Sequence, residues 1–365
     1  MKKVLLATTA LIAASAFAAP ARAEMEVTVG GFTAFQAGFF DNDAANQTGR
    51  DFKSESQIVV HADGKADNGL EYGAKVTLMT STSDSYNSLN NSIYLAGAWG
   101  RVVLGDELAA GRTLAVFAPT VGAGQINGSA DDFITEDDRG HLLNDRGDAT
   151  FLALDSIRDT NITYFTPKFA GFQAGVSYVP EIKWDNTTHG ESVTFLNNDS
   201  TLQDALQFGL RYTGEFMGVG VKVSGQYNTA DSTSTTLKDL NTWGVGTQLS
   251  YKGFTFGGGY DDQGKSLGLS TSSKIRSWNV GATYENGPWG VGISYLDTDF
   301  GTNGTGNLGN DGAGGKYTEV AFGATYKVAP GLTTSADVSF YNRDRAGAAV
   351  DTDGTVALID VTAAF

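Results

Sequence analysis

The chain reads as all-β, a transmembrane antiparallel barrel of about sixteen strands, and three observations carry that reading. Segments of period-two alternation recur from one end to the other. The connections between them are short and long by turns. Aromatic residues gather at the ends of the apolar faces rather than in their middles, as at two water–lipid interfaces.

The alternation is legible residue by residue. "VTVGGFTAFQAGFF" places Val27, Val29, Thr33, Phe35 and Phe39 on one face. "LEYGAKVTLMT" places Tyr72, Ala74, Val76 and Leu78 opposite Glu71, Lys75 and Thr77. "ALQFGLRYTG" sets Leu206, Phe208, Leu210 and Tyr212 against Gln207, Gly209 and Arg211, and "VGVKVSGQYN" sets Val219, Val221, Val223 and Tyr227 against Lys222, Ser224 and Gln226. The same rhythm returns around Trp243–Tyr251, Trp278–Tyr284 and Val320–Tyr326. The resulting strands are 26–40, 54–63, 70–80, 91–99, 101–106, 160–166, 171–179, 205–215, 219–228, 241–251, 254–262, 274–286, 289–299, 316–328, 332–343 and 355–365. Short turns such as "GEFMG", "YKGF", "NGPWG" and "VAPG" alternate with long polar loops, the asymmetry of an outer-membrane barrel.

Composition agrees. Glycine is plentiful and proline scarce, 47 against 6, without a collagen period. Lipid offers no hydrogen bonds, so every strand edge must be paired and the sheet must close. A barrel this wide keeps a wet interior, which accounts for a mean hydropathy of −0.17.

The start "MKKVLLATTALIAASAFAAPARAE" has the basic, apolar and small-x-small parts of a signal peptide over 1–23, so the mature domain is expected to be 24–365. The 25 basic residues fall to 22 once Lys2, Lys3 and Arg22 are removed, against 41 acidic ones, so the mature net charge is −19. That excludes a nucleic-acid partner, whose phosphates need a basic face. No cysteine is present, so no disulfide holds the fold. The three histidines are scattered without metal-ligand spacing. No nucleophile elbow occurs, since "GVSYV" and "GISYL" lack the final glycine. An enzyme is not expected, and no cofactor. The carboxylates Asp41, Asp43, Asp351 and Asp353, in "DNDAANQTGRD" and "DTDG", are those a structural calcium ion in the external loops would use.

One connection, 107–150, is far longer than a compact fold needs, and loops of that length are usually functional. It is also the most acidic, with Asp131, Asp132, Glu136, Asp137 and Asp138. "RDTNITYFTPKFAGFQAGVSYVPE" follows it. Asn161, Ile162, Tyr164, Thr166-Pro167, Phe169, Gly171-Phe172 and Tyr178 resemble the signature of the Gram-negative general porins, α-proteobacterial type, with Thr163 and Thr166 as mild departures. The resemblance extends over the mature length to the terminal Phe365.

That resemblance implies a sixteen-stranded homotrimer in the outer membrane, among lipid and lipopolysaccharide, for passive diffusion of ions and small hydrophilic solutes. It implies that 107–150 folds into the lumen as a constriction, its five acids facing basic wall residues. Alternation nominates Lys75 and Arg101 for that wall, with Arg50 or Lys53 beside them. Opposed charge rows create a transverse field, and with the net charge they predict a mild cation preference. The resemblance also makes Phe365 the signal read by the assembly machinery. Other readings are a sugar- or anion-specific channel, for which Phe32, Tyr94 and Tyr341 are the inward aromatics, and a surface β protein without a transport role. In the closing strand Ala357, Ile359, Val361, Ala363 and Phe365 are expected to face lipid, and Leu358 is the inward member that breaks the pattern.

Overall fold

A computed structural model describes residues 25–42, 49–79, 88–126, 128–129, 133–134, 159–182, 202–235, 237–266, 274–301, 314–345 and 351–365. The strands are β1 (Met25–Asn42), β2 (Arg50–Lys65), β3 (Glu71–Met79), β4 (Ser88–Gly97), β5 (Gly100–Asp106), β6 (Thr160–Phe165), β7 (Phe172–Ile182) and β8 (Leu202–Phe216). The second half is β9 (Val219–Ser232), β10 (Leu240–Tyr251), β11 (Phe254–Gly264), β12 (Ile275–Asn286), β13 (Trp289–Gly301), β14 (Gly315–Ala329), β15 (Leu332–Arg345) and β16 (Thr352–Ala364). One short helix, α1 (Ala110–Leu114), follows β5.

Each strand pairs antiparallel with its neighbours in sequence, and β1 pairs with β16, so the sheet closes. Closure satisfies both edges of every strand, the condition lipid imposes. The seam runs from Phe32 opposite Ala364 to Asn42 opposite Gly354, and Gly31 exchanges two backbone hydrogen bonds of 3.0 Å with Phe365. Val27 and Val29 pair with β2 alone.

All sixteen expected strands are present, but several run further toward the long loops. β2 starts at Arg50 rather than 54, and β9 ends at Ser232 rather than 228. The apolar face stops where lipid stops, whereas the hydrogen-bond ladder continues through polar residues above it. β4 ends early, at Gly97, because Ala98 and Trp99 form the turn. The reversals at Met217-Gly218 (50° and 79°) and Lys252-Gly253 (48° and 85°) use positive φ at both central residues, which matches the twist of a two-residue hairpin.

The two faces of the sheet differ as alternation requires. Phe35, Leu210, Val245, Val291, Phe322 and Ile359 are exposed on the apolar face. Gln36, Thr77, Gln207, Ser224, Asn279 and Asp360 are buried on the polar one. Cross-strand aromatic pairs stand in two tiers on the apolar face. Phe172–Tyr212, Phe254–Tyr284 and Trp289–Tyr326 lie toward the short turns, with centroids 4.9, 4.4 and 4.3 Å apart. Trp243–Tyr260 and Trp278–Tyr295 lie toward the long loops, at 5.5 and 5.0 Å. Six to eight residues separate the tiers along a strand, about 20–27 Å at ~3.4 Å per residue, or roughly 15–20 Å of height at a strand tilt of ~40°, close to the apolar band of a membrane barrel.

The polar face also carries an apolar cluster that alternation does not announce. Ala118, Ile126, Phe133 and Ile134 pack with Ile275, Leu296, Phe300, Tyr317, Tyr341, Val356 and Leu358. Leu358, which breaks the pattern of its strand, is thereby buried against the segment that follows β5.

Candidate functional site: a basic cavity and the segment after β5

Four strands bring cationic or basic side chains to one place. β2 contributes His61, directly opposite Lys75 of β3. β5 contributes Arg101 and β8 contributes Arg211, each on the polar face. α1 adds Arg112. These five, with Glu107, Phe165 and Gln173, line a cavity of about 640 Å³.

The charges are held in defined positions. Lys75 Nζ is 3.0 Å from Glu107 Oε2, and Glu107 Oε1 accepts a 3.0 Å hydrogen bond from Asn90 Nδ2. The Arg101 guanidinium stands 4.0 Å above the Tyr94 ring, whose hydroxyl donates to Asp63 at 2.6 Å. Arg112 lies 4.6 Å from the Phe117 ring, and Arg211 Nη1 donates to the Thr113 carbonyl at 3.3 Å. The lining therefore carries four cationic side chains and one carboxylate. Such a lining attracts anionic groups by long-range electrostatics.

From α1 onward the chain is hydrogen-bonded to the polar face of one strand after another. Ser177 of β7 accepts from Ala110 N at 2.7 Å, and Ser224 of β9 from Val116 N at 2.9 Å. Gln248 of β10 donates to the Phe117 carbonyl and Asn279 of β12 accepts from Ala118 N, both at 2.8 Å. On β15, Ser335 and Asp337 accept from Ala123 N, each at 3.2 Å. Gln36 of β1 donates to Ser129 Oγ at 2.8 Å. A segment without strand structure satisfies its backbone here by wall side chains, as buried backbone must.

The signature residues serve this arrangement. Asn161 of β6 donates to the Glu107 carbonyl at 2.6 Å and so ties down the start of the segment. Thr163 is buried and hydrogen-bonds Asn161 at 2.8 Å. Tyr164 OH holds the 98–99 turn through the Trp99 carbonyl at 2.7 Å. Pro167 lies outside the strands, where no ladder donor is needed, and Gly171 takes φ +86° in the reversal.

Of the sequence-predicted wall residues, Lys75 and Arg101 meet in the cavity. Arg50 begins β2 opposite Phe39, on the apolar face, and is not among the cavity residues; Lys53 takes the polar face, opposite Gln36. Asp131, Asp132, Glu136, Asp137 and Asp138 lie outside the described residues, although their neighbours Phe133 and Ile134 are buried. Asp43 also lies outside them, Asp41 and Asp353 are exposed at strand ends, and Asp351 accepts the Arg345 amide at 2.8 Å. Among the described residues no group of three or more His, Asp or Glu is arranged to hold a metal. Sequence reasoning missed Glu107, Arg112 and His61, and placed Arg211 on the polar face of its strand without singling it out for the wall. Their alternation was readable; that β2, β3, β5 and β8 converge with α1 on one cavity was not.

Comparison with known proteins places this geometry. An uncharacterized protein of Rickettsia conorii is 25% identical, with 93% of each chain covered, and one of Rickettsia prowazekii is 24% identical with the same coverage. Among solved structures, the fold is similar to the anion-selective porin from Comamonas acidovorans, with TM-score 0.62 and 14% identity over 94% of this chain and 100% of that one. A mutant of the Rh. blastica porin gives TM-score 0.59 and 16% identity over 93% and 100%. The family model described as Gram-negative porin matches residues 7–346. The chain belongs to the Gram-negative porins, channels of the outer membrane.

Proposed function

We propose that 107–150 is a constriction folded into the lumen, and that solutes pass between its acids and a basic wall. The observation that carries this is the run of hydrogen bonds from residues 110–129 to β7, β9, β10, β12, β15 and β1 in turn. A closed barrel whose apolar face meets lipid has its polar face inside, and these partners all belong to that face. Lys75, Arg101, Arg112 and Arg211 form the basic side of the passage. Asp131, Asp132, Glu136, Asp137 and Asp138 form the acidic side and, with the net charge, make the channel mildly cation-preferring.

Reversal potentials in a salt gradient test this. Asp131→Asn with Asp132→Asn should weaken cation preference in a folded barrel; clear anion preference of the parent channel would overturn the reading. The alternative of a sugar-specific track has little support, because Tyr341 is buried in the apolar cluster and Tyr94 lies beneath Arg101.

The homotrimer is part of the same proposal. On β1–β3 the apolar face carries Thr33, Ser54, Ser56, Ala62 and Ala74, and Ser56 Oγ donates to Thr33 Oγ1 at 3.1 Å. Hydroxyls at mid-band and small side chains suit a neighbouring subunit better than lipid, where polar groups find no partner. Triplet conductance steps are the expected sign.

A further inference from the structure

The segment from α1 onward lies on bare backbone. Gly209 of β8, Gly246 of β10, Gly281 of β12 and Gly323 of β14 share the polar face of alternate strands. A carbonyl of the segment stands over each one. A Cβ on Gly209 would be 2.6 Å from the Ala110 oxygen, on Gly281 2.8 Å from the Pro119 oxygen, and on Gly323 2.5 Å from the Val121 oxygen. At Gly246 it would overlap the Val116 oxygen. Real Cβ atoms do not approach that closely, so any side chain here displaces the segment or the strand. The amides of the same stretch are meanwhile bonded to Ser224 and Asn279 on β9 and β12. Hydrogen bonds thus pull the segment onto the wall, and absent side chains let it come all the way.

We infer that these four glycines are positioning residues that set how far the segment stands off β8–β14, and hence how wide the passage is on its other side. This rests on the reading of 107–150 as the constriction. A side chain at Gly246 moves the segment away from its own wall and toward Lys75 and Arg101 on β3 and β5. The passage narrows while the barrel, whose ladder needs only backbone, stays closed. Abundant glycine in this chain is then partly a seat for its own loop, beyond its use in turns.

The test uses the full chain in planar bilayers. Gly246→Val should lower unitary conductance by roughly a fifth or more, since flow follows the narrowest section. Gly225→Val is the control: Gly225 lies on the apolar face of β9, and a Cβ there meets nothing within 4 Å, so conductance should not change. If Gly246→Val does not assemble, the smaller Gly209→Ala carries the same expectation. A second measurement reports the seat itself. The chain has no cysteine, and a Cβ at Gly281 would be 3.2 Å from Ala118 Cβ; the few tenths of an ångström by which the Pro119 oxygen, 2.8 Å away, must retreat bring that pair into disulfide spacing. Ala118→Cys with Gly281→Cys should therefore cross-link on oxidation. A folded, heat-modifiable barrel that fails to cross-link overturns the seat. Cross-linking with unchanged conductance in Gly246→Val shows a seated segment that does not bound the passage, which overturns the constriction reading and the positioning role with it.

Discussion

Glu107→Gln is the sharpest probe of the basic cavity. The carboxylate lies 3.0 Å from Lys75 Nζ and accepts from Asn90 at 3.0 Å, and an amide keeps its shape and its ability to accept from Asn90. What changes is charge: four cationic side chains remain and the lining's carboxylate is gone. A unit charge ~6 Å from the path of an ion interacts by about 0.7 kcal/mol in a water-like dielectric, and by about 2.8 kcal/mol at an effective constant of ~20. The lower figure alone corresponds to about a threefold change in the occupancy of each ion, in opposite senses, and so to about a tenfold change in the ratio of cations to anions. The reversal potential in a KCl gradient should therefore move toward anions. It should be measured near 0.1 M, where the screening length of about 10 Å leaves the effect visible. Heat-modifiable migration on gels checks that the barrel is intact. An unchanged reversal potential in an intact barrel would refute the placement of this cavity on the ion path.

Leu358→Ala removes a buried anchor of the segment rather than of the sheet, at a cost of about 2.7–5 kcal/mol for a core leucine; noisier single-channel traces and faster proteolysis within 107–150 should follow, with gel mobility unchanged. Arg101→Ala takes a fixed cation from above Tyr94 and should shift the reversal potential toward cations, opposite in sign to Glu107→Gln. Deleting Phe365, whose backbone exchanges two hydrogen bonds with Gly31, should lower the yield of assembled barrel more than it alters the conductance of the channels that do form. Asn161→Ala frees the Glu107 carbonyl from a 2.6 Å bond in a part-buried site, a loss of about 0.5–1.5 kcal/mol that should appear as unsteady conductance and not as loss of the barrel.

Much of the barrel was readable before any coordinates. Val245 and Leu249 against Gln248, or Ile359 and Val361 against Asp360, declare their faces by covalent geometry alone, because successive side chains of a strand point oppositely. Strand ends were less readable, as at β2 and β9, because the ladder outlasts the apolar pattern that reveals it. Leu358 was visible as an exception, but its meaning was not. An apolar residue on a wet wall makes sense only once Phe133 and Ile134, distant in sequence, are seen to pack with it in one cluster.

The amino-acid sequence by itself determined which residues form strands, which face of each meets lipid, and that the sheet must close, since alternation, turn chemistry and the demands of a solvent without hydrogen bonds are all local or general. Only the tertiary structure decided that Lys75, Arg101, Arg112 and Arg211 share one cavity with Glu107, and that the segment after β5 lies on the walls of β7 to β15. Closing the ring brings strands far apart in the chain to face one another across it, and the clearance left by glycines and the reach of single serine and asparagine side chains then select where the segment rests.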